Sequence, residues 1–244
     1  VRQRKSVKKN FLLSTNQSFK EPNIFTDKSA VILHWLLTEG ISKRQFALRE
    51  IVKETHISLG LTQKVLKSLV TKGLVKTNGV RTAKKYSVPH PKKILELWLD
   101  SYNILEKCKM WTYTTSFDKK SELIKILEHS KLTSKIRFAL HTAAEMNQSK
   151  NTNLETLEIY LTDPNLRSKI EELLELEPKE KGYEVLLILP YYKGLLKTEF
   201  DPKHLQASPP LLTYLDLYHF PLRGLEQSEF MRDRLPEIKN IYRH

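Results

Sequence analysis

Between Leu59 and Lys72 the side chains Thr62, Gln63, Lys64, Lys67, Ser68, Thr71 and Lys72 are interleaved with Leu61, Val65, Leu66, Leu69 and Val70 at helical spacing. The chemistry open to such a polar face is hydrogen bonding. Amide and ammonium groups donate to base edges, and hydroxyls reach bases or phosphates. A helix that enters a groove by its first turns would present Thr62, Gln63 and Lys67 to base edges, Lys64 and Lys72 to phosphates, and Ser68 to either, with Ser58 capping the helix. Lys76, Arg81, Lys84 and Lys85 follow, placed to straddle an adjacent backbone or minor groove. The competing meaning is a solvated surface, since any exposed helix face is polar. A surface helix normally mixes signs, however, and Gly60–Gly73 holds three lysines and no acid.

A second group offers different chemistry. Asp163-Pro164, then Glu177-Pro178-Lys179, supplies two carboxylates and an amine, a set that can hold Mg²⁺ and position an attacking water. That chemistry needs the second acid and the lysine on one face of a strand. Pro178 separates them where the pattern reads as a helix end, and five glutamates crowd Glu171–Glu180, so a solvated acidic helix end is the expectation. No Gly-rich phosphate loop, nucleophile elbow or paired-His motif occurs. Cys108 has no neighbouring His and is expected to be an inert thiol. His141, in an apolar run taken as a strand, is expected to be an interior histidine. The sequence therefore predicts no catalytic residues, no cofactor and no metal site.

These side chains need elements to position them. A helix capped by Asp27 is expected over Lys28–Glu39, with Val31, Ile32, Trp35 and Leu36 inward and Gly40 closing it. Leu48–Thr55 makes a second helix, Thr55–Ser58 a turn, and Leu59–Lys72 a third helix ended by Gly73. Leu74–Thr77 and Lys84–Val88 read as two strands around Asn78-Gly79. Helix, helix, turn, helix and ribbon is the order of a winged helix-turn-helix domain. Pro89 and Pro91 mark a hinge, and Pro91–Tyr102 begins another helix. Beyond it, helical runs at Lys120–Glu128, Leu166–Leu176, Pro210–His219 and Arg223–Arg234 alternate with strand-like runs at Ile136–His141, Leu157–Leu161, Tyr183–Leu189 and Leu195–Phe200. The expected fold is mixed α+β: a basic extension over 1–26, a winged helix-turn-helix domain over 27–90, and an α/β domain with a small sheet over 91–244.

The charge of the chain supports this division. Of 244 residues 40% are hydrophobic, enough for a sizeable core. The net charge is +13, yet residues 1–90 hold 18 Lys/Arg against 5 Asp/Glu while residues 91–244 hold 23 of each. A surplus confined to the segment with the polar helix implies a polyanionic partner for that segment. Membrane headgroups fit less well, because no helix there pairs a basic face with a bulky aromatic-and-leucine face. The longest aliphatic run, Val185–Leu189, is far too short for a bilayer. Arg2, Arg4, Lys5, Lys8 and Lys9 suit either a frayed tail or an arm that tracks phosphates. A single cysteine and the absence of a visible secretory pattern place the chain, by expectation, in the cytoplasm. Double-stranded DNA is the expected partner.

Several words of the sequence carry a family resemblance. The helix–turn–helix–ribbon segment, the proline pair and "ILELWLDSY" that follow it, "RFALHTAAE" (Arg137–Glu145), "LEIYL" (Leu157–Leu161) and "PPLLTYLDLYHFPLRGLEQSEFMRDRL" (Pro209–Leu235) together resemble the abortive-infection E-type antitoxins. Those are the regulator halves of type IV toxin–antitoxin systems. The resemblance covers about Lys28 to Leu235; unlike the family, this chain has no Gly near His141 and begins with a long basic stretch before Asn23. It implies a regulator that represses its own operon through the winged helix, and a C-terminal domain counteracting a nucleotidyltransferase-type toxin without forming a stable complex. The matching C-terminal positions are Tyr214, Asp216, Arg223, Gly224 and Glu226. Apart from the family, Asp216 and Arg223 read as a buried ion pair and Arg223 with Glu226 as a helical i, i+3 pair. Two other functions are weighed: a restriction-type Mg-dependent nuclease with a winged-helix targeting domain, and a plasmid replication initiator with two winged helices in tandem.

Overall fold

The computed structural model describes residues 23–80, 83–197 and 204–243. The first helix, α1 (Asp27–Thr38), buries Val31, Ile32, Leu33, Trp35, Leu36 and Leu37. Its cap position is Thr26 rather than Asp27; the Asp27 carboxylate instead accepts from the Gly194 N–H at 2.7 Å. Helix α2 (Leu48–Thr55) follows a connector in which Phe46 exchanges both backbone hydrogen bonds with Tyr86, at 2.9 and 2.8 Å. Lacking a side-chain cap at Ala47, α2 is closed by Glu50, whose carboxylate reaches back to the Ala47 N–H at 2.8 Å.

His56 takes a left-handed conformation (φ 55°) and turns the chain sharply into α3 (Leu59–Thr71). The Ser58 hydroxyl oxygen caps α3 by accepting from the Leu61 N–H at 3.4 Å. Gly73, at φ +70°, ends the segment. Strands β1 (Lys76–Asn78) and β2 (Lys85–Ser87) then pair antiparallel with Thr77 opposite Tyr86. Leu74 and Val75, expected in the first strand, are buried ahead of it. A Cβ on Gly79, whose φ is +79°, would stand 2.7 Å from the Ala83 carbonyl oxygen, so the turn requires glycine there.

After α4 (Pro91–Ser101) and the single turn α5 (Ile104–Lys107) comes β3 (Lys109–Thr115). The remaining elements are α6 (Lys120–His129), β4 (Ile136–Phe138), α7 (Leu140–Met146), β5 (Leu157–Leu161), α8 (Arg167–Leu173), β6 (Leu176–Pro178), β7 (Val185–Leu189), α9 (Pro210–Tyr218), α10 (Gly224–Arg234) and α11 (Pro236–Arg243). Five strands form one sheet in the order β4-β5-β7-β3-β6, with β5 and β7 parallel and the other neighbours antiparallel. The fold is thus mixed α+β with a small sheet, as expected.

Further details depart from expectation, beginning with α11, which the sequence did not announce. Lys109–Thr115 is a strand that its mixed pattern of aromatic and threonine residues did not announce. Leu176–Pro178 is an edge strand, where a helix end was expected, because Glu175 (φ 50°) turns the chain after α8. Ile136–His141 splits: the strand stops at Phe138 and Leu140 (φ 46°) opens α7. Leu195 begins a 3₁₀ turn over Leu195–Lys197 rather than a strand.

Period-two alternation assigns the two sheet faces. Leu157, Ile159, Leu161, Val185 and Leu187 join a core with Leu123 and Leu127 of α6 and Ile170 of α8. Tyr160, Leu186 and Ile188 face the other way, into a core that also holds Leu36, Phe46, Leu66, Trp98, Leu215, Met231 and Ile241. That second core runs without a break across Pro89–Pro91, which marks the start of α4 and not a gap between two cores. Polar contacts span the same boundary. The Trp98 indole donates to the Tyr192 hydroxyl at 2.9 Å, which donates to the Phe25 carbonyl at 3.1 Å.

Candidate nucleic-acid interface

The second and third helices place the candidate side chains by burying one stripe and presenting the opposite one. On α3, Val65, Leu66 and Leu69 are buried, and Gln63, Lys64, Lys67, Thr71 and Lys72 are exposed. Ser58 is exposed at the cap. Two expected contacts are corrected. Thr62 is fully buried and its hydroxyl donates to the Ser58 carbonyl at 3.0 Å, and Ser68 is buried as well. Both lie on the inward stripe: Thr62 precedes Leu66 by one turn, and Ser68 follows Val65 by three residues. Neither is on the exposed face.

The ribbon brings Lys76, Lys84 and Lys85 to the surface beside this helix. A groove of about 220 Å³ between the two elements is lined by Gln63, Lys67, Val70, Thr71, Lys84 and Tyr86. Thr71 belongs to the polar face read from the sequence, whereas Tyr86 of the ribbon is a groove residue that the sequence did not single out. Thr71 sits one turn after Lys67 on the same stripe. The Lys84 ammonium lies 5.5 Å from the centre of the Tyr86 ring, a cation–π contact that holds it at the groove. Lys85 instead turns toward Glu50, at 3.9 Å. Arg81 and the basic segment Val1–Lys20 lie outside the described residues.

Two acids of this unit, Glu50 and Glu54, are engaged by Lys43, and Glu50 also faces Lys85 of the ribbon. Lys43 bridges Glu50 at 3.6 Å and Glu54 at 3.3 Å, and the Trp35 indole donates to Glu54 at 2.5 Å. These pairs leave out Lys64, Lys67, Lys76 and Lys84. Four ammonium groups without a carboxylate partner among the described residues, on one helix and its adjoining ribbon, make a cationic surface whose self-repulsion a polyanion would relieve.

The C-terminal residues singled out by resemblance do not form one site. Asp216 is fully buried and accepts from the Tyr102 and Tyr160 hydroxyls, each at 2.7 Å. The expected ion pair with Arg223 is absent, because Arg223 is at the surface, where it grips Glu226 with two hydrogen bonds of 2.9 and 2.6 Å. The i, i+3 pair is therefore present as expected. Tyr214 shares a 2.7 Å hydrogen bond with Tyr242 and so ties α9 to α11. Gly224 allows α10 to start hard against the end of α9, since a Cβ there would collide with the Leu217 carbonyl oxygen. Gly224→Ala is accordingly expected to cost about 3 kcal/mol, or roughly 6–12 °C in Tm; a thermal melt matching wild type would contradict the close packing.

The nuclease-like set is likewise dispersed in role. Glu177 does lie on a strand, contrary to the sequence reading, opposite Thr114 of β3. Asp163 caps the 3₁₀ turn Pro164–Leu166 through the Asn165 N–H at 2.9 Å, and Lys179 donates to Glu184 at 2.8 Å. Among the described residues no three His, Cys, Asp or Glu side chains gather as a metal ion would require. The Cys108 thiol is buried, accepts from the Tyr191 N–H at 3.3 Å, and is pushed by burial up to about 12. His141 belongs to α7 rather than to a strand, with its Nε2 atom 2.6 Å from the Leu222 carbonyl. Among the described residues no helix is long and apolar enough to cross a membrane. No protein-family model matches the chain, and no curated protein or solved structure matches it either.

Proposed function

We propose that residues 27–90 act as a winged helix-turn-helix that binds duplex DNA, and that the protein is a sequence-specific transcriptional regulator. The observation that carries this reading is the acid-free face of α3 meeting the ribbon across a shared groove, with Gln63, Lys67, Thr71 and Lys84 around it. Gln63 and Lys67 supply donors for base edges, and Lys64, Lys76 and Lys84 meet phosphates. The Phe46–Tyr86 pairing supports the reading, since it anchors the ribbon to the connector between α1 and α2 and so fixes its angle to α3.

The regulator acts by binding and not by catalysis, in the cytoplasm, on the operator of its own operon. On the resemblance of its C-terminal words, it serves as the antitoxin of a type IV pair whose counterpart is a nucleotidyltransferase-type toxin. The two-headed arrangement of a replication initiator has no counterpart among the described residues, which contain a single two-stranded ribbon.

Binding to a duplex from upstream of the gene, followed by fluorescence anisotropy against salt, tests the DNA reading. Lys84→Ala should weaken binding evenly across sequences and lower the slope of log K against log salt by about one. An unchanged slope would remove Lys84 from the phosphate contacts. For the antitoxin role, the gene's neighbours are searched for a nucleotidyltransferase reading frame; co-expression of the two should restore growth, and either continued arrest or the lack of such a frame would refute it.

A further inference from the structure

The first turn of α3 has a feature that a cationic surface does not explain. Leu59 is 51% exposed and Val80 is 77% exposed, and among the described residues before Pro91 these are the only large hydrophobic side chains left in solvent. One opens α3 and the other lies in the loop of the ribbon, the two elements that would touch a duplex. A lone exposed leucine is ordinary. Two that coincide with both contact elements, and with no other surface of the N-terminal unit, are not. Leu59 also stands one turn ahead of Gln63 and two ahead of Lys67, on the same stripe.

Gly60 adds an independent observation. A Cβ placed there would have nothing within 4 Å, and its φ is not in the left-handed region. The fold therefore does not ask for glycine, although glycine weakens a helix relative to alanine. An approaching surface does gain from a bare Cα at this point.

We propose that Leu59 reads a thymine C5-methyl group in the major groove, and that Gly60 lets the α3 backbone come close enough for the contact. The proposal rests on the DNA-binding reading above and adds the operator's chemistry: a thymine recognised by apolar contact. The methyl group is the apolar mark of thymine in the major groove, and replacing thymine by uracil removes it while leaving every hydrogen-bonding group in place.

The test uses the full chain and duplexes selected by it from a random pool, with each thymine replaced in turn by deoxyuridine. Wild type should lose about fourfold in affinity at one or more positions, the loss expected for one buried methyl group. Leu59→Ala should bind both bases alike at those positions. Leu105→Ala, which truncates an exposed leucine of α5 that belongs to neither α3 nor the ribbon, should discriminate as wild type does. Gly60→Ala should raise Tm yet weaken binding to every selected duplex. Indifference of wild type to the exchange at all positions, discrimination that survives in Leu59→Ala, or wild-type binding by Gly60→Ala would each overturn the assignment. Failure to select any duplex would instead overturn the DNA-binding reading itself.

Discussion

Asp216→Asn is expected to gain stability relative to wild type as pH rises, by on the order of 4 kcal/mol between pH 4 and pH 8. Burial holds the Asp216 carboxyl at about 7, while the hydroxyl donors Tyr160 and Tyr102 pull the other way without cancelling it. Among the described residues no cation pairs with this carboxyl; its partners are the two tyrosines, and Tyr102 also meets the Cys108 thiol. An acid whose folded pKa lies above its unfolded value binds its proton more tightly in the folded state. Its contribution is thus complete below about pH 4 and falls by about 1.4 kcal/mol per pH unit until it levels off near pH 7. Asparagine keeps the shape, accepts from one tyrosine, donates to the other and does not titrate. Urea unfolding of both proteins at several pH values measures the difference. A gap between them that stays constant with pH would mean that Asp216 ionises normally, and that the buried cluster is misassigned.

Lys67→Glu should weaken binding to a selected duplex by about a hundredfold, since it removes a donor worth about 1–3 kcal/mol and sets a carboxylate against the phosphates. The fold should tolerate it. Lys67 is exposed, on the groove wall opposite Lys84, and takes part in none of the ion pairs of this unit. Its circular dichroism and melting curve should match wild type. Affinity within a fewfold of wild type would place the duplex on another surface.

Much of this arrangement was legible in the residues. The spacing of Val65, Leu66 and Leu69, the serine before the helix and the Asn-Gly turn located α3 and the ribbon to within a residue or two. Thr62 and Ser68 have groove-binding chemistry, but their positions put them on the apolar stripe. Their hydroxyls are tolerated inside because a helix offers a backbone carbonyl one turn back, as Ser58 does for Thr62. The strand Lys109–Thr115 escaped notice because much of it is only half buried, so its alternation is weak. The Glu177 strand was hidden by its acidic composition, which suits an exposed sheet edge as well as a helix end.

The C-terminal motif shows the limit most plainly. Asp216 and Arg223 lie on two successive helical segments, and opposite charges there suggest an ion pair tying the two helices together. The chain breaks at Phe220-Pro221, Arg223 adopts φ 52°, and the two side chains part, one to a tyrosine pocket and one to the surface. Only long-range packing, of Tyr102 and Tyr160 against α9, determines which partner the aspartate finds.

A photo-crosslinking side chain placed at position 63, and separately at position 122 on the exposed side of α6, tests the central claim most directly. With a selected duplex, position 63 should crosslink to DNA and position 122 should not. Crosslinking from position 122 with none from position 63 would contradict the assignment of the α3 face as the surface that meets DNA.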